Sequence, residues 1–182
     1  GTQDAQCLVD IGDILAEAEN DECLQWRWSC ISENLKPMRP GEFYIFAAAV
    51  DSGKTSALAD NVTHMAGQMD AYYERPADIL WLNNEGDSAR IVERTWQAAG
   101  NWTLEDMIRL NKEPAGKGHP ECRTKLRELY KLALGGRMGA LRIMSIHGWD
   151  TGQVERLVRK HQPGLVVFDM IDNVNFGGSA KG

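Results

Sequence analysis

The sequence predicts an α/β fold, a parallel sheet covered by helices on both faces. Three observations predict it. Short apolar runs alternate with helical stretches along the 182 residues. The runs are apolar at consecutive positions, the pattern of strands buried on both faces rather than one. Each run gives way to polar or turn residues, and strand–helix alternation of this kind builds βαβ units. Ligands in such sheets sit at the carboxyl ends of the strands.

The elements follow in order. Residues 8–19 set Leu8, Ile11, Ile14, Leu15 and Ala18 at helical spacing, which predicts a short amphipathic helix. Residues 20–40 carry Trp26, Trp28, Pro37 and Pro40 and read as irregular, ending in the Pro40-Gly41 turn. Residues 42–50, EFYIFAAAV, predict the first strand. A helix follows over 54–73, with Leu58, Val62, Met65, Ala66 and Met69 on its inner face. Ile79, Leu80, Trp81 and Leu82 predict the second strand. Helices follow over 88–99, stopped by Gly100, and over 102–110, with Thr103, Glu105 and Asp106 near its start. Residues 111–120 hold Pro114, Gly116, Gly118 and Pro120 and read as a loop. A helix over 122–134 ends at Gly135-Gly136, and a third strand spans 141–146. A helix over 151–161 and the Pro163-Gly164 turn lead into the fourth strand, 165–168.

Composition bounds the function. Hydrophobic residues make up 43% and charged residues 25%, ordinary for a folded chain and unlike a disordered one. No stretch approaches the ~18 apolar residues of a membrane span. The opening GTQDAQ lacks a basic segment followed by an apolar run, so no leader is expected. The net charge is −6, which argues against a surface that clamps nucleic acid everywhere but leaves room for a local basic patch. Arg156, Arg159, Lys160 and His161 are such a cluster; a solvated helix face is the default reading and phosphate contact the alternative. Cys7, Cys23, Cys30 and Cys122 form no CxxC pair, so free thiols in a cytoplasmic, reducing compartment are expected, with a structural zinc site as the minority reading.

The first strand is followed by Ala48-Ala49-Val50-Asp51-Ser52-Gly53-Lys54-Thr55, the phosphate-loop pattern with Ala in the first glycine position. Loop amides cradle phosphate oxygens, Gly53 allows close approach, and the following helix aims its positive end at the anion. Ala49, Val50, Asp51, Ser52, Gly53, Lys54, Thr55 and Ser56 are the expected contacts. Lys54 is expected to reach the β- and γ-phosphates, and Thr55 to hold Mg²⁺. Asp51 places a carboxylate near a polyphosphate, which departs from the motif's electrostatic logic.

Asp169 ends the fourth strand, LVVFD, where a carboxylate beside the phosphate loop orders Mg²⁺. Glu85 follows the second strand and is a candidate general base; a surface Glu at a helix start is the alternative. Asp87 and Asp172 read as peripheral. His147 reads as a turn residue or a site residue, His64 as structural, and Trp26 and Trp28 as packing or base-stacking groups.

Pro40-Gly41-Glu42-Phe43-Tyr44-Ile45, then Ala48-x4-Gly53-Lys54-Thr55-Ser56-Ala57-Leu58-Ala59, resembles the start of the RecA-like ATPase domain of DnaB-type replicative helicases, phage versions included. In that family Ala often opens the phosphate loop. Trp81-Leu82-Asn83-Asn84-Glu85-Gly86 with Ile91-Val92-Glu93-Arg94 resembles the family's "SLEM…ERL" stretch, whose Glu is the catalytic base. Phe168-Asp169-Met170-Ile171-Asp172 resembles its Walker B segment. Asn83-Asn84 departs from the usual Ser-Leu, and Asp172 from the usual Gln. The resemblance implies ATP and Mg²⁺ as ligands, Glu85 and Lys54 as catalytic residues, and Thr55 with Asp169 at the metal. It implies residues 1–34 as an N-terminal helix and linker and 35–182 as a RecA-like P-loop ATPase domain, truncated after Walker B. It also implies a further strand, beyond this sequence, lying between the first and fourth. The complete protein is expected to unwind DNA as a hexameric homo-oligomer on single-stranded DNA, with no membrane role. The alternatives are another RecA-like ATPase, such as a recombinase or recombination mediator, a small-molecule phosphotransferase, or a non-hydrolysing nucleotide-binding module.

Overall fold

The computed structural model describes residues 10–19, 22–49, 52–84, 87–111 and 120–169. The expectations for Val50, Asp51, Glu85, Asp172 and Cys7 lie outside the described residues. Helices α1 (Ile11–Glu19) and α2 (Ser29–Ser32) precede α3 (Lys54–Ala66) and α4 (Met69–Tyr72). Strand β1 (Ile79–Asn83) leads to α5 (Ser88–Gly100), α6 (Leu104–Leu110) and α7 (Pro120–Ala133). Strand β2 (Leu141–Ser145), α8 (Thr151–His161) and β3 (Leu165–Asp169) complete the order.

The strands form a parallel sheet in the order β2-β1-β3. The chain therefore crosses the sheet one way from β1 to β2 and back the other way from β2 to β3. Right-handed crossovers in opposite directions place their helices on opposite faces. Ile79 and Trp81 accordingly pack with α3, α5 and α7 on one face. Leu80 and Leu82 pack with Val154 of α8 on the other. All four of these β1 side chains are completely buried. Each contributes about 1.5–3 kcal/mol by leaving water, which makes β1 the anchor of the sheet.

The helices are delimited by local chemistry. Thr103 and Asp106 form a capping box at α6, and Asp150 and Gln153 form one at α8. The expected 54–73 helix divides into α3 and α4. At the break, a Cβ on Gly67 would lie 2.8 Å from the Ala133 carbonyl oxygen, and Gly135 approaches the same backbone with φ +74. Only glycine allows the two chains to cross this closely. Just beyond, Arg137 donates to both carboxylate oxygens of Asp70, to Asp78 and to the Ala77 carbonyl, joining α4, the entry to β1 and the turn before β2.

The expected first strand is not a strand. Residues 42–49 lack regular structure, although the side chains of 43–46 alternate. Tyr44 and Phe46 turn inward onto Trp26, with ring centroids 5.2 and 5.8 Å away, while Phe43 and Ile45 face solvent. The apolar run supplies the extended path but no ladder, because a strand exists only where a neighbour receives its backbone hydrogen bonds. Among the described residues no backbone hydrogen bond joins this segment to β3. A cavity of about 300 Å³ separates them, lined by Tyr44, Phe46, Leu58 and Val167 and by Lys54 and Asp169. The segment and β3 are thus not adjacent strands. Among the described residues no helix is long and apolar enough to cross a membrane.

Candidate phosphate-binding site

The loop before α3 is built by two residues. Ser52 donates from its backbone N–H and its hydroxyl to the Ala49 carbonyl, at 3.2 and 2.6 Å, which tightens the turn. Gly53 then takes φ +85 and stands as the N-cap of α3. No side chain caps that helix. Its ladder begins with Ala57 donating to the Gly53 carbonyl at 2.9 Å, so the amides of Thr55 and Ser56 lie outside the intrahelical ladder. With the positive end of a 13-residue helix behind them, these groups suit an anion.

Lys54 and Asp169 meet at this end of the sheet. The Lys54 Nζ lies 2.8 Å from Asp169 Oδ1, with the lysine side chain 23% exposed and the carboxylate 2%. This is a charge contact; Oδ1 receives no hydrogen bond of acceptable geometry and retains acceptor capacity. A buried carboxylate oxygen in that condition, next to the hydroxyl-bearing first turn of α3, suits a hard cation. Oxygen donors of this kind, shared with phosphate oxygens, are what Mg²⁺ takes. Asp169 therefore fits the metal expected of it. Among the described residues no group of three or more His, Cys, Asp or Glu could hold a metal by itself.

Asp169 is also fixed through its backbone. It stands in register with Asn83 on β1, and the Asn84 N–H donates to its carbonyl at 3.2 Å. Asn83 and Asn84 are both buried, and Asn83 Nδ2 donates to Ser88 Oγ at 3.1 Å. Glu85 follows these two residues in sequence and lies outside the described residues. Sequence reasoning did not give Asn83 or Ser88 a place at the site. The available signal was a polar pair ending an otherwise apolar strand.

Other expected candidates fall elsewhere. Asp87 accepts from the Ala89 N–H and caps α5. His147 is exposed. His64 lies on the solvent side of α3 rather than among the apolar residues, and its pKa is lowered by partial burial and by Arg27. Arg156, Arg159 and Lys160 are exposed on α8, across the sheet from α3, and Arg159 pairs with Glu155 at 2.6 Å. Trp26 is buried and Trp28 donates to Asp60. Cys23 and Cys30 are not in a disulfide.

The model of the AAA domain family matches residues 13–182, nearly the whole chain. The chain belongs to that family. An AAA domain is a P-loop nucleotide-binding ATPase module. Comparison with curated proteins and with solved structures yields no match.

Proposed function

We propose that this AAA domain is the Mg²⁺-dependent, ATP-hydrolysing motor core of a replicative DNA helicase. One observation carries the ATPase half of the reading: Lys54, at the end of a glycine turn, and Asp169, at the end of β3, lie 2.8 Å apart at one edge of the sheet. The helicase half rests on the resemblance of the segments around Gly41, Gly53, Glu85 and Asp169 to DnaB-type enzymes.

In this reading Lys54 and the loop amides bind the β- and γ-phosphates and stabilise their charge. Thr55 Oγ1 and a carboxylate oxygen of Asp169 would hold Mg²⁺, which would neutralise charge on the phosphate oxygens. The Glu85 carboxylate accepts a proton from the water whose oxygen attacks the γ-phosphorus in line, while the bond from that phosphorus to the β–γ bridging oxygen breaks and ADP leaves with its electron pair. The Lys54–Asp169 contact gives way as the lysine transfers to phosphate. In the complete protein the domain acts in the cytoplasm within a hexameric ring, where hydrolysis drives movement on single-stranded DNA.

The test is ATP binding and ATPase activity with and without single-stranded DNA, for the wild type, Lys54→Ala and Glu85→Gln. ATP binding lost in K54A, turnover lost in E85Q with binding retained, and stimulation by DNA support the reading. Unchanged ATP affinity in K54A sinks the site assignment. ATP binding without any turnover favours a nucleotide-sensing module instead.

A further inference from the structure

Residues 42–49 are the arm that leads toward Lys54, and no sheet holds them. Among the described residues no backbone hydrogen bond involves 43–48. A cavity of about 300 Å³ lies beside the arm, so its backbone alone does not keep it out of that space. Side-chain packing does so, centred on Trp26. The buried Trp26 ring meets Tyr44 edge-on at 5.2 Å and Phe46 at 5.8 Å, and its Nε1–H donates to the Lys36 carbonyl at 3.0 Å. The strap that carries Trp26 is itself fixed. Leu24 and Met38 exchange backbone hydrogen bonds at 3.2 and 2.9 Å. The Arg27 N–H donates to Asn61 Oδ1 at 3.1 Å, and the Arg27 guanidinium pairs with Asp60 at 3.1 Å. Gln25 and Gln68 exchange two hydrogen bonds, at 2.7 and 3.1 Å. Asp60 and Asn61 belong to α3, the helix that begins at Lys54. Residues 24–38 therefore grip the arm on one side and α3 on the other.

We infer that Trp26 is a positioning residue for nucleotide binding, the centre of a brace that holds the 42–46 arm against α3 in place of a strand partner. The inference rests on the reading of Lys54 and its neighbours as the ATP site. Trp26 touches no phosphate in this scheme. It acts by keeping the arm and the first residue of α3 at a fixed separation. Filling space would be served by a leucine, whereas receiving the edges of two other rings asks for a ring. Loss of the ring therefore frees the arm and weakens ATP binding, because binding groups must be held in place before the ligand arrives.

The experiment is equilibrium binding of ATP with Mg²⁺, alongside urea midpoints, on the wild type, Trp26→Leu, Trp26→Phe, Tyr44→Leu, the W26L/Y44L double variant, Gln68→Ala and Val154→Ala. Val154 is buried on the opposite face of the sheet, so V154A lowers stability without touching the brace. Gln68→Ala removes the two bonds to Gln25 and serves as the variant that keeps the fold. Expected are a fall in ATP affinity of about fivefold or more in W26L and in Y44L, no further fall in the double variant, recovery to within about twofold in W26F, and a fall of about twofold or more in Q68A. V154A should bind ATP as the wild type does. Folded W26L with wild-type affinity overturns the inference, as does a loss in V154A equal to that in W26L at an equal shift of midpoint. Where W26L does not fold, wild-type affinity in Q68A overturns it. Absence of ATP binding by the wild type overturns the reading of the site, and the inference with it, so the two failures are told apart.

Discussion

Lys54 Nζ and Asp169 Oδ1, separated by 115 positions in sequence, lie 2.8 Å apart with the carboxylate almost wholly buried. The contact joins the two halves of the candidate site before any ligand arrives. It also makes each residue a stabiliser of the other.

Removing the lysine alone leaves a buried carboxylate without its counter-charge. Lys54→Ala should lower stability by about 1–2 kcal/mol, below the range for fully buried pairs because the lysine is partly solvated. Lys54→Ala/Asp169→Asn should recover most of that loss, because the remaining group is neutral. Urea unfolding midpoints of the two variants check this. Equal destabilisation of both would mean that the pair contributes packing rather than charge.

Gly53 has open space around its Cβ position, so the cost of a side chain there is conformational. Its φ of +85 lies where L-residues are strained. Gly53→Ala should cost about 1 kcal/mol and lower the melting temperature by about 2–4 °C. ATP affinity should fall further than that loss accounts for, because the loop amides change direction. Calorimetry and equilibrium nucleotide binding measure the two effects separately.

Arg137 predicts an acid limb. Its hydrogen bonds hold the Asp70 carboxyl below the usual carboxylate range. Burial raises the Asp78 carboxyl, but hydrogen bonds from Arg137 and Arg142 outweigh it and the net direction is downward. Groups depressed in the folded state bind fewer protons there than in the unfolded chain. Their stabilisation is present above the ordinary carboxylate value near 3.8 and is lost as pH falls through the depressed values. Arg137→Met should destabilise the domain by about 1–3 kcal/mol near neutral pH, and by progressively less below pH 3.8. Urea titrations between about pH 2.5 and 7 read the difference.

Much of this architecture was legible from local signals. The runs at 79–82, 141–146 and 165–168 became the three strands; the first run is apolar and buried along its length, while the flanking β2 and β3 are only partly buried. Leu58, Val62, Met65, Ala66 and Met69 all entered the core, as their helical spacing requires. At the site, Gly53, Lys54 and Asp169 were readable because the chemistry of phosphate and Mg²⁺ restricts residue type at fixed spacing. Residues 42–50 were misread for an instructive reason. Eight consecutive residues without a charge after Glu42 look like a buried strand, yet strand pairing is a property of two segments and is written in neither alone.

The sequence by itself determined the element types, the glycine turn before α3 and the identities of the charged pair. These follow from side-chain period, backbone freedom and charge, all local quantities. Only the tertiary structure decided that β1 lies between β2 and β3, that Asn83 stands in register with Asp169, and that Asn83 reaches Ser88. Those relations depend on which backbone edges meet. Edge pairing is set by the packing of the helices on both faces, which sums contacts from the whole chain and leaves no signature in any one segment.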